Sequence, residues 1–200
     1  MTSKDYSSRR VKRPPKPLSA PALEELALAY VARFATSSAK LLRYLERKLR
    51  ERGWDSESAD DAPDLPALVA RFVDKGYVDD EAFARARSAD LLRRGYGANR
   101  VRQALGQAGI AAPIREKMQP GEVQKRRAAL HLASKRRFGP FSTKPVPPEK
   151  REKQIAAMLR AGHTFDHARA VLGAADADRA HDWLAEAEEW PEETDDDDFA

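Results

Sequence analysis

The chain has no cysteine among its 200 residues, so disulfides and thiolate metal sites are excluded. Aromatics are only 8% of the residues, and β-branched runs are scarce. Either feature argues against a deep sandwich or barrel core. No apolar run approaches the 18 residues that a membrane-spanning helix needs. The N-terminus is polar and basic, without the apolar stretch of a secretory signal. A cytoplasmic protein is therefore expected.

Catalytic vocabulary is also thin. There is no glycine-rich phosphate loop ending in Lys-Ser/Thr and no Gly-x-Ser-x-Gly. Asp79 and Asp80 are adjacent carboxylates, but they stand before Glu81 and a helix, where they suit a cap and the helix dipole. His163 and His167 have the i, i+4 spacing of two metal ligands. Thr164 reads as a helix cap between them, and no third ligand has an evident position. A packing or surface role is expected for both, with no metal, no cofactor and no enzymatic activity.

What is present is charge and helix-forming residues. Charged residues are 34% of the chain and hydrophobic residues 42%. Such a composition suits small helical units better than one thick globule. The net charge of +4 hides a strong segregation. Residues 1–53 carry +8 (13 basic side chains against 5 acidic) and residues 54–82 carry −7 (2 against 9). Residues 83–160 carry +14 (19 against 5), and residues 161–200 carry −11 (2 against 13). The basic central region calls for a polyanion or an acidic protein surface.

Periodicity predicts an all-α chain with no strands. Helices are expected over roughly 22–35, 38–52, 65–75, 80–93 and the stretch from Gly97 to Gly109. A short helix follows Pro113, and others cover roughly 121–137, 148–161 and 164–173, with an optional last one over 176–189. In the second, Leu41, Leu42, Leu45 and Leu49 form one stripe opposite Arg43, Glu46, Arg47 and Arg50. Residues 1–21, with four prolines among basic side chains, are expected to be a disordered tail. Residues 186–200, which include Asp195 to Asp198, are expected to be a solvated acidic end. That end could also fold back on the basic helices.

The chain repeats itself. Leu49-x-x-x-Gly53-Trp54, Leu105-x-x-x-Gly109-Ile110 and Met158-x-x-x-Gly162-His163 share one form, and in each a helix ends at the glycine. The implied division is a tail (1–21), a first repeat (22–79) with an acidic insert at 55–66, and a second repeat (80–119). A third repeat (120–175) with a proline-rich loop at 139–148 follows, then an acidic extension (176–200). The expected fold is an extended tandem array of three-helix repeats.

Two sets of cations are candidate contacts. Arg93, Arg94, Arg100 and Arg102 surround the Gly95-Tyr96-Gly97 turn. Their guanidinium groups suit phosphates or carboxylates, while Tyr96 is expected to pack between helices. Lys125, Arg126 and Arg127 recur as Lys135, Arg136 and Arg137, about three turns and 16 Å along one helix. The large apolar residues of that helix are few, so its charge is expected to serve a polyanionic partner.

Gly76-Tyr77-Val78-Asp79-Asp80-Glu81-Ala82-Phe83-Ala84, then Arg94-Gly95-Tyr96-Gly97 and Arg100-Val101-Arg102-Gln103-x-Leu105-x-x-x-Gly109-Ile110, resemble the two linked signatures of the RecX family. The resemblance implies tandem three-helix repeats that bind the RecA recombinase in its filament groove on DNA. It further implies inhibition of ATPase and strand exchange, and weak DNA binding. Gly76, Tyr77, Asp79, Asp80, Phe83, Gly95, Tyr96, Gly97, Leu105 and Gly109 would then be structural residues between repeats, and the chain would act as a monomer. The residues alone leave a second reading: a stand-alone DNA-binding protein, such as a tandem helix-turn-helix regulator.

Overall fold

A computed structural model describes residues 16–56 and 62–189. Most of the basic proline-rich tail (1–15), the centre of the acidic insert (57–61) and the run containing Asp195–Asp198 lie outside the described residues, as does any fold-back of that run. The described residues are helical apart from their connections, with one isolated bridge between Leu18 and Trp54. Their contacts separate into two units, divided after Val78.

The first unit holds α1 (Ala20–Arg33), α2 (Ser38–Arg52) and α3 (Leu65–Asp74). Each boundary has a local cause. Ser37 accepts a bond from the Lys40 amide at the start of α2, and Gly53 ends that helix with φ near 80°. Asp64 caps α3 through the Ala67 amide, 2.9 Å away, with Pro66 in the first turn where no amide proton is needed. Leu23, Leu41, Leu45, Leu68 and Phe72 close the core. Each such side chain contributes about 1.5–3 kcal/mol through burial.

The expected disorder of residues 16–21 is corrected here. Leu18 is fully buried, and its amide and carbonyl bond to Gly53 and Asp55, pinning the chain beside the end of α2. Arg52 Nε also donates to the Lys16 carbonyl at 2.8 Å. One leucine with satisfied backbone groups outweighs the prolines around it.

The second unit begins with α4 (Asp80–Arg93), α5 (Ala98–Gln107) and α6 (Ala112–Lys117). Asp79 is the cap of α4, accepting from the Ala82 amide at 2.8 Å, while Asp80 and Glu81 occupy the first turn. Ala84, Leu91, Val101, Leu105, Ala108 and Ile110 form this trio's core, with Phe83 and Tyr96 packed at its edge. Next come α7 (Glu122–Arg136), a short 3-10 turn (Gly139–Phe141), α8 (Pro148–Arg160), α9 (Phe165–Gly173) and α10 (Ala177–Glu189). Gln154, buried in α8, accepts from the Gly139 amide and ties down the start of the proline-rich loop.

Two expectations about this region change. α7 is not poor in core residues: Ala128, Ala129, Leu130, Leu132 and Ala133 are all buried. Its small alanines allow neighbours to approach on several sides, so no single stripe is visible in the sequence. Residues 186–189 are not solvated tail. They complete α10, which packs along α7 and buries Ala180 and Ala187, with Trp183 and Leu184 against the core. The acidic face of α10 lies where it can answer the cations of α7.

Candidate partner-binding surface

The Gly95–Gly97 turn joins the α4–α6 trio to the helices that follow. The Gly97 amide donates to the Ala161 carbonyl at 2.9 Å, and the Asn99 amide donates to the Gly162 carbonyl at 3.1 Å. The backbones approach so closely that a Cβ on Gly97 would sit 2.5 Å from the His163 nitrogen. A Cβ on Gly162, whose φ is +96°, would sit 2.6 Å from Arg100 Cβ. Only glycine fits at either position.

His163 completes the joint. It is 3% exposed, and its Nε2–H donates to the Gly95 carbonyl at 2.9 Å. Its Nδ1 is buried without a partner. Burial pushes the imidazole below its usual range; the Gly95 carbonyl acts in the opposite direction, and His167 nearby adds to the lowering. The neutral ring is thereby favoured, and the residue is part of the scaffold. His167 turns elsewhere, with Nε2 2.9 Å from Glu122 Oε1.

Beside this joint is a cleft of about 480 Å³ between α5, α6 and the end of α8. Arg100, Arg102, Arg115 and Arg160 line it with Asn99 and Gln103. Asn99 Oδ1 accepts from Arg102 at 2.7 Å, and Gln103 Oε1 accepts from Arg100 at 2.7 Å, so both guanidinium groups are oriented by neutral amides. Arg115 Nε is buried and lacks an acceptor. Among the described residues, no carboxylate pairs with any of these four arginines. Four unneutralised guanidinium groups around one recess suit a phosphate or a carboxylate.

A smaller recess of about 130 Å³ is lined by Arg94, Tyr96, Lys135, Arg136, Leu132, Phe138, Ala157 and Ala161. Tyr96, partly buried, packs against the edge of the α4–α6 core with Arg94 over its ring, 5.5 Å from the centroid. Lys135 and Arg136 have no carboxylate partner among the described residues, whereas Arg94 approaches Asp90 at 3.5 Å. Arg93 lies apart from both, in a more apolar recess with Leu92, Arg127 and His131. Arg137 caps α7 in the left-handed conformation, with φ at 53°.

The other half of the α7 charge is used inside the fold. Arg126 Nε donates to Glu122 at 2.9 Å, its Nη1 donates to the Trp183 carbonyl at 2.6 Å, and its guanidinium lies 4.8 Å from the Trp183 ring centroid. Lys125 also faces Glu122, and Arg127 pairs with Glu188 at 2.6 Å. Burial alone would raise the Glu122 carboxyl, but bonds from Arg126 and His167, with their charges, hold it below its usual range. Arg126, expected from sequence as a partner contact, thus pins α7 to α10.

The other signature residues also have local tasks. Gly76 ends α3 with positive φ, and Tyr77 is half-exposed with its ring tilted on Phe72, 5.5 Å away. Asp79 and Phe83 serve their own helix and core, and Gly109 closes α5 after buried Leu105.

Comparison with known proteins fits this architecture. A family model described as the second three-helix domain of RecX matches residues 79–118, the span of α4 to α6. The "Regulatory protein RecX" of Myxococcus xanthus is 32% identical over 176 residues, covering 84% of this chain and 93% of that protein.

This chain belongs to the RecX family. A RecX relative from Halorhodospira halophila is 34% identical over 139 residues, covering 68% of this chain and 80% of that protein. Among solved structures, the crystal structure of RecX from Lactobacillus salivarius aligns over 82% of this chain and 96% of its own, with a TM-score of 0.52 at 16% identity. A second RecX crystal structure gives 0.56 at 17% identity, over 76% and 72%. At those identities the likeness concerns the fold. Within this RecX fold, sequence pattern had indicated Arg100 and Arg102 but missed Arg115 and Arg160. A signal for Arg160 was available in its place two residues before the repeat glycine Gly162; Arg115 has none beyond following Pro113.

Proposed function

We propose that this chain binds the RecA recombinase filament on DNA and lowers its ATPase and strand-exchange activity. Membership of the RecX family supports the partner. The single structural observation behind the reading is the cleft of four arginines without carboxylate partners. A fold gains nothing from gathering like charges, so an anion from outside is the natural complement. The complement is acidic recombinase surface, DNA phosphate or both. The chain acts as a cytoplasmic monomer, needs no cofactor, and holds bare DNA weakly through charge.

The test is single-strand-dependent ATP hydrolysis by the recombinase with this protein titrated in. Hydrolysis should fall as the protein reaches micromolar concentration; an unchanged rate overturns the reading. Replacing Arg100, Arg102 and Arg160 with alanine should weaken filament binding at least roughly tenfold, since a single charge-assisted bond contributes about 1.5–3 kcal/mol. Salt separates the two complements. Phosphate contacts give a log–log slope of about 0.7–0.9 per phosphate neutralised, and a shallow slope points to protein carboxylates. Sequence-specific duplex binding with no effect on the recombinase would favour the helix-turn-helix regulator instead.

A further inference from the structure

The first unit carries a feature that the arginine cleft does not involve. Three aromatic rings form a ladder across α1 and α2. Tyr30 and Tyr44 stack with centroids 4.1 Å apart and planes within 15°. Tyr30 also meets Phe34 at 5.3 Å and 46°. Phe34 stands just beyond the last turn of α1, 53% exposed, in a chain where aromatics are only 8% of residues. Its amide bonds to the Tyr30 carbonyl at 3.0 Å, so the ring is presented from a fixed backbone.

Cations edge the ladder. Arg33 lies 5.9 Å from the Phe34 centroid, and Arg47 and Lys48 lie 5.6 and 6.0 Å from that of Tyr44. Glu51 pairs with Lys48 at 2.6 Å and Arg47 at 3.6 Å, so two of these cations share one carboxylate. Arg33 has no carboxylate partner among the described residues.

The combination selects its occupant. An acidic peptide would use the cations but leave the exposed ring in water. A lipid surface would need a wider apolar face than one phenyl ring offers. A duplex keeps its base faces stacked within itself. An unpaired base offers a π-face to Phe34 and is followed by a phosphate within the reach of an arginine. We propose that the Tyr30–Phe34–Tyr44 ladder is a binding platform for single-stranded nucleic acid, with a base stacked on Phe34 and phosphates held by Arg33 and Arg47.

The test uses the full chain and no recombinase, so its outcome is independent of the regulatory reading. The probes are an oligothymidylate, an abasic strand of equal length and a duplex. The wild type should prefer the oligothymidylate to both others. Phe34→Ala should lose roughly tenfold in affinity for it, within the range of one base–aromatic stack, while abasic binding stays unchanged. Phe34→Trp should restore the preference. A strand bearing 5-iodouracil should photocrosslink to Phe34 or Tyr44. Equal affinity for oligothymidylate and abasic strand overturns the proposal. So does unaltered oligothymidylate binding by Phe34→Ala, or tighter binding of an acidic peptide. Circular dichroism of each variant shows that a lost preference comes from a folded chain, which surface-exposed Phe34 should permit.

Discussion

α7 carries two triplets of cations that look alike in sequence and meet different fates. At its N-terminal end, Lys125, Arg126 and Arg127 are met by Glu122, the Trp183 carbonyl and Glu188. At its C-terminal end, Lys135, Arg136 and Arg137 meet no carboxylate among the described residues. The difference is Glu122 in the first turn of α7 together with α10, whose acidic residues reach only the first triplet. A basic cluster is thus a candidate interface only after the fold's own acids have been assigned. The first triplet holds the structure, and Lys135 and Arg136 of the second line a recess beside the joint with Tyr96 and Ala161.

The joint is where the comparison can be broken most severely. Gly97→Ala forces a methyl group into the Gly162–His163 backbone, and overpacking of this kind should cost about 2–4 kcal/mol. Urea denaturation should show it, along with a loss of whatever binding the neighbouring surface supports. A midpoint equal to wild type would mean that the two backbones are not in close contact.

The triplets themselves give the next effect. Arg126→Ala removes two hydrogen bonds and a stacked guanidinium from a half-buried place, and should cost about 2 kcal/mol. Arg136→Ala, on the exposed triplet, should change stability by less than about 0.5 kcal/mol. Paired thermal melts measure both, and equal losses would erase the distinction.

Arg137 sharpens it further. Holding a non-glycine residue at φ 53° is unfavourable, so Arg137→Gly should stabilise by about 0.5–1 kcal/mol. If Arg137 also touches the partner, the same variant should bind the filament more weakly despite melting later.

The smallest effect depends on pH. Burial lowers the His163 pKa in the folded chain, so protons favour the unfolded state. Its contribution is fully present above the unfolded value near 6.5 and is lost as pH falls from there toward the folded value. Between pH 7 and pH 5, wild type should therefore lose more stability than His163→Gln, which retains a donor for the Gly95 carbonyl. Parallel urea curves at the two pH values check this. Glu122, also lowered, loses its contribution at lower pH, as its carboxylate protonates below the ordinary 4.5.

Much of the fold was legible because its boundaries are set by local chemistry. Gly53, Gly109 and Gly162 follow α2, α5 and α8 with positive φ, and Ser37, Asp64, Asp79 and Thr164 each accept a bond from a first-turn amide. Those signals are carried within a few residues. Leu18 was missed because its burial depends on a backbone partner more than 30 positions away. The alanines of α7 concealed a core helix, because small residues contribute little to an apolar stripe and much to close approach. The surface was legible as charge but not as assignment. Arg126 and Arg136 differ through Glu122 and α10, Arg115 meets Arg100 through the packing of α6 on α5, and Arg160 meets it only through the joint.

The joint between the Gly95–Gly97 turn and the Ala161–His163 turn is held largely by amides and carbonyls, groups that every residue except proline supplies in full. Such a seam is indifferent to the side chains projecting beside it. The exposed cleft residues Arg100, Arg102 and Arg160 can be exchanged, even for acids, without withdrawing one of its bonds. How the two turns are fastened and what the neighbouring cleft attracts are therefore separately adjustable. The same scaffold could be re-aimed at a cationic ligand by rewriting a few side chains and leaving the glycines in place.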